Sequence, residues 1–273
     1  MIIQLFGRLF RLPFSDVEVL ARAAELIHTA SLIHDDVVDN ALQRRGVPTL
    51  NTNVSNSQAV LAGDFLLARV IVELTERKQF ENLRYLAQTL EDIVEAEFLQ
   101  DRLKKEDEAT EELLLQVGRK KTGSLLAWCS GACAIAAGAD PESVRDCRLF
   151  GEKVGIAFQL IDDNLDYSEQ SGKDYAKDLK EGLINYPTLQ LLRLYPELYY
   201  PVYQLRGNDF QEVPWTEGQM KQATQITYST ATNLLLEAED LLRNVVHRNE
   251  RLIEPGVVPE FKHLLSLVLK REK

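Results

Sequence analysis

Two segments of this chain share one acidic spacing: Asp35-Asp36-Val37-Val38-Asp39 and Asp162-Asp163-Asn164-Leu165-Asp166, both D-D-x-x-D. On a helix the first and fifth positions of such a motif lie on one face, with the second beside them. Both follow apolar helical runs, which puts them at helix C-termini. A helix C-terminus already carries partial negative charge, so stacked aspartates there cost free energy unless cations bind. A single such cluster could equally be a solvated helix end, but two identical spacings, each after a run that should be buried, call for another cause. Magnesium prefers oxygen ligands, keeps several waters and bridges carboxylates to phosphate groups. Two clusters facing each other would therefore suit a metal-bound diphosphate. Arg44 and Arg45 follow the first cluster on an expected loop, with Gly46 and Pro48 ending the helix. Paired arginines fit forked contacts to phosphate oxygens. Lys121 and Lys173 are further candidate cations.

The elements that must position these residues read as helices throughout. Ser15 with Glu18 resembles a capping box and predicts a long helix running into Asp35. Further helices are expected over Gln58 to Glu76, Glu81 to Lys104 and Glu111 to Gly138. The next has the clearest start, with Asp140 as N-cap and Pro141 at the first helical position, and it runs to Asp166. A polar loop, Tyr167 to Gly182, precedes a short helix ending near Leu194. Three prolines and several tyrosines make Tyr195 to Trp215 irregular, with one short helix. Thr216 and Gln219 form a second capping box, opening a helix to about His247, and Pro259 starts the last. No strand alternation or hairpin signal stands out. The expectation is an all-α fold, a single large bundle without a linker that would split it.

Composition narrows the function. Lys and Arg number 31 against 42 Asp and Glu, a net charge of -11 that argues against nucleic-acid binding. Three cysteines, Cys129, Cys133 and Cys147, suit neither a disulfide framework nor a zinc site. Placed on apolar helical stretches, they fit buried thiols in a reducing, cytoplasmic compartment. The start carries no cleavable signal pattern, and the most apolar run, about Ser124 to Ala139, reads as a core helix and not a membrane span.

At this point the residues resemble a known family, the trans-isoprenyl diphosphate synthases or polyprenyl synthetases, along nearly the whole chain. The matching text is Glu25-Leu-Ile-His28, Ser31-Leu-Ile-His-Asp-Asp-Val-Val-Asp39, Arg44-Arg45-Gly46 and Leu61-Ala-Gly-Asp-Phe-Leu-Leu-Ala68. It continues with Glu95-Ala-Glu-Phe-Leu-Gln100, Lys121-Thr122, Phe158-Gln-Leu-Ile-Asp-Asp-Asn-Leu-Asp166, Gly172-Lys173 and Asp178-Leu-Lys-Glu-Gly182. The resemblance implies helices around a deep central cavity (the isoprenoid synthase fold), a homodimer, and three Mg2+ ions holding the diphosphate of an allylic primer. It makes Asp35, Asp39 and Asp162 metal ligands, with Asp36, Asp163 and Asp166 assisting directly or through water. Arg44, Lys121, Thr122, Lys173 and Gln159 would bind or surround the allylic diphosphate, and Arg45 and His28 would contact isopentenyl diphosphate. The implied reaction is ionisation of the primer, attack by the isopentenyl double bond and loss of a proton, with no protein nucleophile.

The chain departs from the family pattern in places. A Gly-Gly-Lys-x-x-Arg-Pro motif, expected just upstream of the first helices, is absent, so residues 1–273 read as a synthase domain lacking the family's N-terminal segment. Leu183 stands where the family carries a lysine, and Ala176 where it carries glycine. These departures keep open a second reading, a weakly active or non-catalytic subunit of a heteromeric synthase. A terpene cyclase would carry an asparagine/serine/glutamate triad in place of the second D-D-x-x-D. In this family the growing product descends beside the helix bearing the first cluster. The small side chains of Ala30, Ser31 and Ala24, with Ile27 the only medium-sized one nearby, imply a product longer than C15, the farnesyl length.

Overall fold

The computed structural model describes residues 1–44, 46–105, 109–168 and 175–270, and helices dominate them as the sequence leads one to expect. The first helix, α1 (Ile2–Leu9), was not anticipated. Eight residues are too few for stability alone, so α1 depends on packing. Its Phe6 ring meets Phe150 and Phe261 edge-on, with centroids 5.2 and 4.9 Å away, and each buried ring contributes on the order of 2 kcal/mol. Next comes α2 (Phe14–Val38), which starts at Pro13 with no side-chain cap, so the expected Ser15–Glu18 box does not form. Proline already fixes the entering backbone, and Glu18 pairs instead with Arg22, one turn on, at 3.2 Å.

The end of α2 also differs from expectation. Asn40 takes a left-handed φ of 50°, and the Ala41 N–H closes back on the Asp36 carbonyl at 2.9 Å, an asparagine C-cap. The helix therefore stops well before Gly46 and Pro48. A minimal antiparallel pair follows, β1 (Gln43–Arg44) with β2 (Val47–Pro48). Strands of two residues carry no alternation, which is why the sequence shows none.

After the short α3 (Leu50–Asn53) come α4 (Asn56–Glu76) and α5 (Phe80–Lys105), close to their expected bounds. The expected single helix from Glu111 is α6 (Glu111–Gly118), a wide π-turn over Arg119–Gly123, and α7 (Ser124–Ala136). Within the wide turn the Ser124 hydroxyl donates to the Lys120 carbonyl at 2.6 Å. The turn lies against α8 (Pro141–Leu165), which begins as expected, with Asp140 accepting the Ser143 N–H at 3.0 Å. A Cβ on Gly155 would sit 2.4 Å from the Gly123 Cα, and one on Gly151 2.1 Å from the Leu126 carbonyl oxygen. Only glycine lets these backbones meet.

The remaining helices are α9 (Lys177–Lys180), α10 (Tyr186–Leu194), α11 (Tyr199–Leu205), α12 (Glu217–Arg248) and α13 (Val258–Leu269). The capping box of Thr216 and Gln219 is formed in full. Helix α8 is the axis of the molecule, packed against α7 on one side and α12 on the other. Helix α7 is buried along most of its length, and burial pushes the thiol of Cys129 up to about 12. All three cysteines are buried and unbridged. A second apolar cluster, including Leu179, Leu191, Val202 and Trp215, lies beneath the Tyr195–Trp215 stretch. There the Trp215 indole donates to the Tyr175 hydroxyl at 3.1 Å, so the end of the tyrosine-rich segment holds Tyr175 just ahead of α9. Among the described residues, no helix is long and apolar enough to cross a membrane.

Candidate active site

The C-terminal ends of α2 and α8 line one cavity of about 1510 Å³, and both acidic clusters belong to it. Asp36, Asp39, Asp162, Asp163 and Asp166 are on its wall, with Arg44, Lys121 and Gln159. Asp35 is not among the residues of that wall. Burial pushes its carboxyl up to about 6, with the Lys121 charge working against the shift and Glu97 and Asp39 adding to it.

Several of these side chains are held by identifiable neighbours. Asp36 is buried and accepts from the Arg44 guanidinium at 2.9 and 2.8 Å, so the β1–β2 hairpin exists in part to bring Arg44 onto the first cluster. Lys121 rides on the π-turn and reaches Glu97 at 2.6 Å and Gln100 at 3.1 Å, both on α5. An extra residue in a helical turn re-aims the side chains it carries, a common device at functional sites. Thr122 on the same turn donates to Gln159 Oε1 at 3.0 Å, and Gln159 Nε2 donates to Asp163 at 2.9 Å. The Tyr186 N–H donates to the other Asp163 oxygen at 3.3 Å. Burial first, then the charge of Asp178, pushes the Asp163 carboxyl up to about 8.

Asp166 does something the motif alone does not suggest. Its side chain accepts the N–H groups of Lys177 at 3.0 Å and Asp178 at 3.1 Å, and it is only 3% exposed. It caps α9. The residue before α9, Ala176, takes the left-handed pair φ 52°, ψ 41°, costing about 1 kcal/mol or more for a residue with a Cβ. That geometry explains why glycine suits the position. The cap delivers Asp178 to the cavity wall, where Asn185 donates to it at 2.9 Å.

Asp178 is the main site residue that sequence reasoning quoted without singling out. Its signal was present in the Asp178-Leu-Lys-Glu-Gly182 stretch, but its role depends on the αL turn at Ala176. Glu97 and Gln100 also stand in a matching stretch, Glu95 to Gln100, without a role of their own, and Tyr186 carries no signal, because the parts of all three come from helix packing. His28 is exposed on α2 and away from the cavity lining. Ile27 and Ala30 are each only 1% exposed. None of Ala24, Ile27, Ala30 and Ser31 lines this cavity. Arg45 and Lys173 lie outside the described residues.

The donor set fits divalent magnesium of one kind. Among the described residues, no group of three acidic, histidine or cysteine side chains closes round an ion by itself. The carboxylates are divided between two helix ends on one cavity. Magnesium suits such a divided set, since it takes one or two carboxylates and completes its shell with water and substrate phosphate oxygens.

An all-α bundle with its central cavity at the ends of α2 and α8 is the isoprenoid synthase fold. The chain belongs to the polyprenyl synthetase family, whose model matches residues 1–222. It is 43% identical over 189 residues to a probable hexaprenyl pyrophosphate synthase, mitochondrial, of Neurospora crassa, covering 66% of this chain and 42% of that protein. It is 41% identical over 182 residues to the all trans-polyprenyl-diphosphate synthase of Homo sapiens, covering 66% of this chain and 44% of that protein. The chain thus spans less than half the length of these curated relatives. Among solved structures, a decaprenyl diphosphate synthase from Rhodobacter capsulatus superposes with a TM-score of 0.79 at 28% identity, covering 100% of this chain and 84% of that one. A polyprenyl synthase from Caulobacter crescentus, complexed with calcium and isoprenyl diphosphate, matches with the same TM-score, identity and coverage.

Proposed function

We propose that the chain is a magnesium-dependent prenyltransferase that condenses an allylic diphosphate with isopentenyl diphosphate to give a longer trans-polyprenyl diphosphate. The observation that carries this reading is the meeting of both D-D-x-x-D clusters on one large cavity. The allylic carbon–oxygen bond breaks with its electron pair leaving on diphosphate. The double bond of isopentenyl diphosphate then attacks the allylic cation, and a proton is lost to form the new allylic double bond. Magnesium ions, when bound, supply positive charge to the departing diphosphate. We assign them to Asp35, Asp39 and Asp162, with Asp36, Asp163, Asp166 and Asp178 holding the arrangement, and three per site is the number we expect from the resemblance. We assign Lys121 and Arg44 to phosphate oxygens because both line the cavity, and Thr122 and Gln159 keep Asp163 aligned. The apolar part of the wall, with Leu114, Leu115, Ile156 and Leu160, suits a prenyl chain.

Residues 1–273 act on this reading as one synthase domain, and the names of the Neurospora hexaprenyl relative and the Rhodobacter decaprenyl neighbour support a product longer than C15. The assay is product analysis after incubating the purified chain with magnesium, isopentenyl diphosphate and farnesyl or geranylgeranyl diphosphate. Elongation that stops on chelation is the expected result. Ala30→Phe, with folding checked by circular dichroism, is expected to shorten the product; unchanged lengths would reduce Ala30 to a packing residue.

Leu183 on the cavity wall, an apolar side chain among Asp178, Glu181 and Asn185, favours the second reading, a weakly active or non-catalytic subunit. Silence alone with elongation on adding a full-length synthase would select it. A homodimer is supported by the exposed apolar residues Leu61, Phe65 and Val72 of α4 and Val94 and Phe98 of α5; sedimentation would count the copies. Cytoplasmic placement rests on the three free thiols alone. The mitochondrial location in the name of the Neurospora relative is the competing compartment, and imaging of the tagged protein separates the two.

A further inference from the structure

The cations around the cavity are unequal. Arg44 is committed to Asp36 at 2.8 Å, Lys121 to Glu97 at 2.6 Å and Lys177 to Glu181 at 3.2 Å. Lys104, near the end of α5, also lines the cavity and is half-buried, and among the described residues its ammonium has no ion-pair or hydrogen-bond partner. It lines in addition a smaller neighbouring cavity of about 380 Å³ with Tyr200, Tyr203, Arg206 and Gly182. Holding a lysine ammonium half-buried and unpaired is unfavourable unless an anion visits it.

Its place is set by a clasp. Arg206 Nε donates to the Gly182 carbonyl at 2.8 Å, and its Nη2 donates to the Leu103 carbonyl. The Gly207 N–H donates to the Leu179 carbonyl at 2.9 Å. One arginine thus ties the residue before Lys104 to the residue before Leu183. The two side chains enter the same cavity from adjoining backbone, one apolar and one cationic.

We infer that Lys104 is a diphosphate-binding residue of this site, supplying from α5 the positive charge that Leu183 does not supply from the loop after α9. This rests on the prenyltransferase reading above, and Arg206 is its positioning residue. The ligand class is a magnesium-bound diphosphate.

The test uses the full chain and inorganic pyrophosphate with magnesium, by calorimetry, beside steady-state kinetics. Lys104→Ala is expected to raise the pyrophosphate Kd and the KM for allylic diphosphate by about tenfold, with Lys104→Arg close to wild type. Adding Leu183→Lys to Lys104→Ala should recover most of the loss. A Lys104→Ala variant that binds pyrophosphate as the wild type does would overturn the inference and leave the prenyltransferase reading standing. A loss that Leu183→Lys fails to correct overturns the equivalence of the two positions. A wild-type chain that binds no magnesium pyrophosphate overturns both.

Discussion

Asp162→Ala is expected to lower kcat/KM by about a thousandfold or more, while the metal-free protein becomes no less stable. Removing one group aimed at developing charge in a water-poor site costs about 10²–10³ in rate, and holding magnesium, the role proposed for Asp162, would make its carboxylate such a group. The stability half of the expectation has a separate cause. The Asp162 charge is one of the influences that push the neighbouring Asp163 carboxyl up to about 8, after burial and Asp178. Deleting it relieves repulsion at the C-terminal end of α8, where the helix already presents negative charge. Activity and melting temperature should therefore move in opposite directions, or the second should stay still. Thermal unfolding in chelator beside kinetics in magnesium reads both. A variant that loses stability along with activity would make Asp162 a structural residue.

Asp166→Ala should behave in the contrary way. Its carboxylate accepts two backbone N–H groups that open α9, and bonds to a charged acceptor contribute about 1.5–3 kcal/mol each. Losing both is expected to cost about 3 kcal/mol locally, which is about a hundredfold in an opening equilibrium. Amide hydrogen exchange at Lys177 and Asp178 would show the loss of protection directly. Activity should fall as well, since the αL turn at Ala176 and the cap at Asp166 are what deliver Asp178 to the cavity. Asp166→Asn, which keeps one acceptor, should fall between. If the exchange rates are unchanged and only magnesium affinity drops, Asp166 acts as a ligand, the role its place in the motif suggests.

These two aspartates show what the sequence could and could not carry. The spacing of the clusters, the Asp140–Pro141 start of α8 and the Thr216–Gln219 box are local features, and local chemistry decides them. The Ser15–Glu18 pair has the right letters too, yet Pro13 had already set the chain's entry and Glu18 found Arg22. Helix α1 escaped notice because it is held by Phe150 and Phe261 from distant parts of the chain. Asp166 was read from its motif as a metal group, although its oxygens meet amides eleven and twelve residues on. The partners of Lys121 could not be found by spacing either, since Glu97 and Gln100 reach it across a helix contact.

The π-turn between α6 and α7 has a consequence for how the two halves of that long helix relate. Adding one residue to a turn advances everything beyond it by roughly 100° about the helix axis. A helical wheel drawn over Glu111–Ala136 as one rod is out of phase after Arg119. The buried demands of α7, whose Leu126 carbonyl packs onto Gly151 of α8, are thereby uncoupled from those of the turn that aims Lys121 and Thr122. Either half can accept substitutions that suit its own surroundings without rotating the other. The wide turn works as a phase shifter, letting one helix serve a rigid interior along α7 and a cavity wall along α6.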